Sequence, residues 1–179
     1  MNPTVNAIAN RLSLRQPQRD SLEILARVCD IISLEKGAEP AAALEAIKAE
    51  FPSVTDFERD FPSLCFALAT GVGKTRLMGA FISYLYRAEN IRHYFVLAPN
   101  LTIYNKLIAD FTPNTPKYVF QGIAEFALNP PEIITGDNYE SGRGIRREDL
   151  FDTSHIHINI FNISSISSTR SSSLERYSK

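Results

Sequence analysis

Apolar positions along this chain follow two periods, and the periods alternate. Leu22, Leu25, Val28, Cys29 and Ile32 recur at helical spacing and predict an amphipathic helix that opens near Pro17. Residues 36–40 (Lys-Gly-Ala-Glu-Pro) end it. An alanine-rich helix follows from about Pro40 to Glu50, with Leu44 and Ile47 inward, and Phe51-Pro52 stops it. Residues 1–14 read as a loosely held lead-in, and 53–61 as a connector or short helix. The apolar run 64–68 predicts a buried strand. The next helix reaches about Ala88, apolar on most sides through Leu77, Met78, Phe81, Ile82 and Leu85. Residues 94–98 predict a second buried strand ended by Pro99-Asn100. A helix capped by Asn100 then starts at Leu101, and Pro113 and Pro116 close that unit. Residues 117–120 predict a short third strand, 132–135 a strand edge, and 136–144 an exposed loop. Residues 155–160 alternate strictly, with isoleucine on one face and His155 and His157 on the other. Strand–helix alternation of this kind predicts an α/β fold with a mainly parallel sheet and helices on both faces. Ligand then belongs at the carboxyl ends of the strands.

Composition narrows the class. The 179 residues are 44% hydrophobic, enough for one domain with a real core. Nineteen basic residues face twenty acidic ones, for a net charge of −1, so a nucleic-acid surface would have to be local. Arg143, Arg146 and Arg147 are balanced by Glu148 and Asp149 and read as a solvated face. Cys29 and Cys65 read as reduced, buried core thiols of a cytosolic protein. No signal peptide is apparent, and no apolar run is long enough to span a bilayer. A cytoplasmic location is expected. The two histidines of the alternating strand lack the further ligands a metal site needs. From Ser164 onward half the residues are serine, a composition expected to be disordered.

The chemistry sits between the run at 64–68 and the helix after it. Ala69-Thr70-Gly71-Val72-Gly73-Lys74-Thr75 has the layout of a phosphate-binding loop. Glycines let the backbone turn so that successive N–H groups face one concavity. The helix beginning near Lys74 adds the positive end of its dipole. Lys74 would reach the terminal phosphates and the Thr75 hydroxyl would ligate magnesium. The commoner pattern places a glycine at position 68, where this chain has Leu68. A glycine-rich turn between core elements is the competing reading.

Three segments in order then resemble superfamily 2 helicase-type motors of the DEAD/DEAH-box kind. These are residues 14–18 (Leu-Arg-Gln-Pro-Gln), the loop 69–75, and 96–102 (Val-Leu-Ala-Pro-Asn-Leu-Thr). The chain looks most like the restriction (Res) subunit of type III restriction–modification enzymes, over about residues 13–165. The resemblance implies a RecA-like P-loop NTPase fold, a three-layer sandwich with a mainly parallel sheet, here truncated and with an N-terminal helical lead-in. It implies ATP and Mg2+ as cofactors. Gln18 matches the glutamine that reads the adenine edge, and Arg15 a companion that packs on the base or braces the loop. Thr70, Gly71, Val72, Gly73, Lys74 and Thr75 complete the implied nucleotide site. Pro99, Asn100 and Thr102 match the segment that touches the DNA sugar–phosphate backbone; strand terminator and helix cap is the equal alternative. Residues 161–164 match a further strand-end motif facing DNA. Implied partners are double-stranded DNA and a methyltransferase (modification) subunit.

The chain also departs from that family. No Asp-Glu pair ends an apolar run after residue 100, and no second motor domain or nuclease is recognisable. The expected organisation is a helical lead-in with the adenine motif (1–61), a partial first RecA-like ATP-binding domain (62–165) and a serine-rich tail (166–179). The leading expectation is the N-terminal part of an ATP-dependent DNA translocase subunit, a truncated gene product inactive alone. The alternative is a non-catalytic module that binds nucleotide or a partner. A small-molecule kinase on the same loop is disfavoured by the Gln18 and Pro99-Asn100 matches.

Overall fold

A computed structural model of the chain describes residues 2–35, 37–138 and 155–163. It divides into two compact units, Met1–Asn90 and Ile91–Lys179. The readings of 139–144, of the Arg143–Asp149 charge cluster and of the serine-rich tail lie outside the described residues.

The first unit is helical. α1 (Pro3–Arg11) forms where a loose lead-in was expected. Asn2 Oδ1 accepts the Thr4 and Val5 N–H groups at 2.9 and 3.4 Å, and Pro3 fills the first turn. Val5, Ile8, Ala9 and Leu12 are buried along one stripe. The stripe is too short to announce itself in sequence, and packing against α2 (Gln16–Ile31) and α4 (Lys74–Glu89) is what holds it. α3 (Pro40–Glu50) returns against α2. Val28, Ala43, Ile47 and Phe57 make their shared core. Arg27 pairs with Glu50 and lies 5.0 Å over the Phe51 ring.

Residues 62–69 correct the sequence reading. They are irregular, with Leu64 and Cys65 exposed, so Cys65 is not a core thiol. A strand needs a neighbour to bond, and the described residues of this unit include no other strand. Phe66 holds the run to α4 by packing on Phe81, ring centroids 4.8 Å apart.

The second unit is α/β. Its sheet is all parallel, in the order β1 (His93–Ala98), β3 (His157–Asn162), β2 (Glu132–Thr135). β3 is central, and Ile158 and Ile160 are fully buried. β1 forms where the apolar run predicts it, but as an edge of the described sheet with Phe95 and Leu97 exposed. β2 is the other edge, as its sequence suggests. α5 (Leu101–Phe111) packs on β1 and β3. Residues 117–120 are turns, not a third strand. Phe120 is instead a packing hub between Phe111 and Phe126, with centroids at 5.6 and 4.2 Å. The Val119 N–H bonds the Asp110 carbonyl at 2.9 Å rather than a strand. α6 (Ala124–Leu128) and the short α7 (Gly136–Asn138) complete the described elements. Gly136–Asn138 is thus a helical turn where a loop was expected.

Candidate functional site

The glycine loop turns at 70–73 directly before α4. Gly71 has φ 81° and Gly73 φ 95°, a left-handed region that a side chain resists. Alternation of this kind is how a short backbone stretch forms an anion-binding concavity. Gly73 is also the residue preceding α4, so the first helical turn, whose N–H groups have no carbonyl within the helix to bond, begins at Lys74. Lys74 is exposed, and its ammonium reaches back to the Ala69 carbonyl at 3.4 Å. Thr75 is half-buried one position further on.

The start of α2 meets this loop. Gln18, 2% exposed, donates from Nε2 to the Gly73 carbonyl at 2.8 Å. Its Oε1 accepts the Arg15 N–H, also at 2.8 Å, which ties down the first turn of α2. The two bonds together set the amide orientation: reversed, the NH2 would face the Arg15 N–H donor and the oxygen would face the Gly73 carbonyl. The Arg15 guanidinium donates to the Gly71 carbonyl at 3.3 Å. Arg15, Gln18, Gly71, Gly73, Lys74 and Ala69 therefore form one connected cluster. Which loop carbonyls are bonded carries no sequence signal; a main-chain carbonyl looks the same in every residue type.

Arg76 adds a further brace, donating to the Leu12 carbonyl at 3.3 Å. The donor set fits a magnesium triphosphate: the amides of a helix start, an ammonium group and a hydroxyl at adjacent positions. A hydroxyl is one ligand for magnesium, and phosphate oxygens and water supply the remainder in such sites. As it stands, Gln18 retains one N–H and one lone pair, the complement of an adenine edge, but the side chain is covered.

Pro99, Asn100 and Thr102 lie in the second unit, at the end of β1 and the start of α5. Asn100 Oδ1 accepts the Ile103 N–H at 2.9 Å, so it is the expected helix cap. Pro99, Asn100, Leu101 and Thr102 are all exposed.

Sequence reasoning also missed a ladder across the sheet. His93, His157 and Glu132 are in register at one end of β1, β3 and β2. His93 and His157 stack at 5.1 Å with planes 7° apart. His157 is 4% exposed, neither ring nitrogen makes a hydrogen bond among the described residues, and Nδ1 lies 3.4 Å from Glu132 Oε2. Parallel stacked imidazoles cannot aim their in-plane lone pairs at one ion. No cluster of three or more metal-ligating side chains occurs among the described residues.

No described helix is long and apolar enough to cross a membrane. The family model described as "Type III restriction enzyme, res subunit" matches residues 11–179. No curated protein and no solved structure matches the chain.

Proposed function

The chain belongs to the type III restriction enzyme res-subunit family, and from that premise we propose that residues 69–75 hold the triphosphate of ATP with Mg2+. The observation that carries the reading is the pair of left-handed glycines opening directly onto α4, with Lys74 and Thr75 at its first two positions. Lys74 neutralises charge on the terminal phosphates, and the Thr75 hydroxyl holds the metal. Thr70 and Val72 contribute to the loop that wraps the phosphates. Gln18 reads the adenine edge once its side chain is uncovered, and Arg15 braces the loop. The bound magnesium supplies charge stabilisation of the phosphates in phosphoryl transfer.

Pro99, Asn100 and Thr102 contact the sugar–phosphate backbone of double-stranded DNA in this reading, and a methyltransferase subunit is the protein partner. Their exposure at a strand end is what supports the contact. The location proposed is cytoplasmic. The domain division proposed is a helical lead-in over 1–61 and a RecA-like ATP-binding part over 62–165.

Turnover is a separate matter from binding. The sequence holds no Asp-Glu pair at the end of an apolar run to hold the metal and polarise water. These residues are therefore expected to bind ATP and hydrolyse little of it without further chain. Titration of a fluorescent ATP analogue into the wild-type chain and Lys74→Ala tests the claim. Binding by the wild type, weakened at least tenfold by the substitution, supports it. Equal binding by both removes the nucleotide site, and DNA-stimulated hydrolysis by the wild-type chain removes the binding-only reading.

A further inference from the structure

We infer that Arg15 and Gln18 shape the phosphate nest itself, each aiming one loop amide, so that they govern binding of any polyphosphate and not only of adenine. The inference rests on the nucleotide-loop reading above and deepens it.

The geometry begins with the carbonyls. Two of the loop's carbonyls are taken by side chains of one helical turn: Gly71 by the Arg15 guanidinium at 3.3 Å and Gly73 by the Gln18 amide at 2.8 Å. Both glycines are the loop's left-handed residues, at φ 81° and 95°. No peptide bond is cis among the described residues. In a trans peptide the C=O of one residue and the N–H of the next point in opposite directions. Drawing the Gly71 carbonyl toward Arg15 therefore turns the Val72 N–H away from it. Drawing the Gly73 carbonyl toward Gln18 does the same to the Lys74 N–H. Both carbonyls are drawn to side chains at the start of α2, so both amides turn away from α2, toward one side of the loop, where a concavity of N–H groups can face an anion.

Each bond also restrains a residue that is otherwise free to rotate. A glycine has no side chain to hold its peptide plane, so an outside partner must. Gln18 is held in turn, through the Arg15 N–H on Oε1 and by its burial. A Cβ on Gly73 would stand 2.8 Å from Gln18 Nε2, so the amide occupies space that only a glycine leaves open. The side chain is thus a fixed post, already engaged before any base arrives. Adenine reading alone does not account for a donor spent on the loop's own backbone. Gln18 and Arg15 act here as positioning residues: they touch the loop, and the loop touches the phosphates.

Inorganic tripolyphosphate with Mg2+ isolates the claim, because it has no base. Binding to the full chain is measured by calorimetry for the wild type, Gln18→Met and Arg15→Met, with ATP and GTP in parallel. Each substitution is expected to weaken tripolyphosphate about tenfold, the loss of one positioning hydrogen bond. ATP should weaken by at least the same factor. Backbone amide spectra supply a fingerprint that lost charge or lost stability would not reproduce. The Lys74 N–H response to tripolyphosphate should vanish in Gln18→Met and persist in Arg15→Met, and the Val72 N–H should behave the opposite way. Should Gln18→Met fail to fold, the exposed Arg15 position still decides the question through Val72. Unchanged tripolyphosphate binding in folded variants, with only the ATP-over-GTP preference lost, would overturn the inference and leave the nucleotide site intact. A wild-type chain that binds neither tripolyphosphate nor ATP would overturn both.

Discussion

A Cβ placed on Gly73 would lie 2.8 Å from the amide nitrogen of Gln18, whereas one placed on Gly71 would meet nothing within 4 Å. Both glycines adopt left-handed φ, so alanine at either position costs about 1–2 kcal/mol in backbone conformation. Gly71→Ala should lose only that amount. Gly73→Ala must in addition push aside a buried, hydrogen-bonded side chain, and should be the more destabilised of the two in denaturant melts. Equal losses would mean that Gln18 yields without resistance.

Asn100 has a structural duty and a proposed one, and the two separate cleanly. Its Oδ1 accepts the Ile103 N–H at 2.9 Å at the start of α5. Asn100→Ala should cost about 1 kcal/mol through loss of the cap. Asn100→Asp keeps the acceptor and adds a charge that suits a helix N-terminus, so its stability should match the wild type. The same charge repels a phosphate backbone. Weaker retention on double-stranded DNA by Asn100→Asp, at unchanged melting temperature, is the expected pattern if this segment meets DNA. DNA affinity equal to the wild type would leave Asn100 as a cap alone.

The two cysteines should react at very different rates. Cys65 is exposed in the irregular run before the loop. Cys29 is buried on α2, and burial, with Glu89 and Asp30 contributing, pushes its thiol up to about 11. The thiolate is the nucleophile, so Cys29 is protected twice over at neutral pH. A disulfide reagent should modify one thiol quickly in the native chain and the second only on unfolding. Rapid modification of both would show that α2 opens readily.

His93 gives the sheet a small sensitivity to acid. Partial desolvation, and then the neighbouring His157, hold its pKa below the ordinary value. The folded chain therefore takes up this proton later than the unfolded chain as pH falls. Stability from this site is complete above about pH 6.5 and declines as pH drops below it, levelling off under the folded pKa. The side chain is exposed, so the effect should be modest. His93→Phe keeps a ring against His157 without the charge. Its melting temperature should fall less than the wild type's between pH 7.5 and 5.5. Parallel curves for the two would assign the acid response to other groups.

Much of this chain is legible in its sequence. Pro40 and Glu50 bound α3 as read, because Pro at a helix start and Phe51-Pro52 after its end act through local backbone sterics. Asn100 was legible as a cap for the same reason: its partner is three residues away. The loop with its lysine and threonine was legible because its conformational demand falls on two glycines. What tertiary structure decided involves partners distant in sequence. The run 64–68 has strand composition, yet a strand exists only where a neighbour bonds it, and there the pattern was misleading. The run 117–120 became turns because Phe120 finds Phe111 and Phe126. The stacking of His93 on His157 follows from β3 lying beside β1, a register no local pattern encodes. The link from Gln18 to Gly73 spans 55 residues, and its acceptor is a main-chain oxygen that every residue carries. Residue types alone determined which stretch turns on two left-handed glycines into α4. Long-range packing determined which side chains hold that stretch in shape.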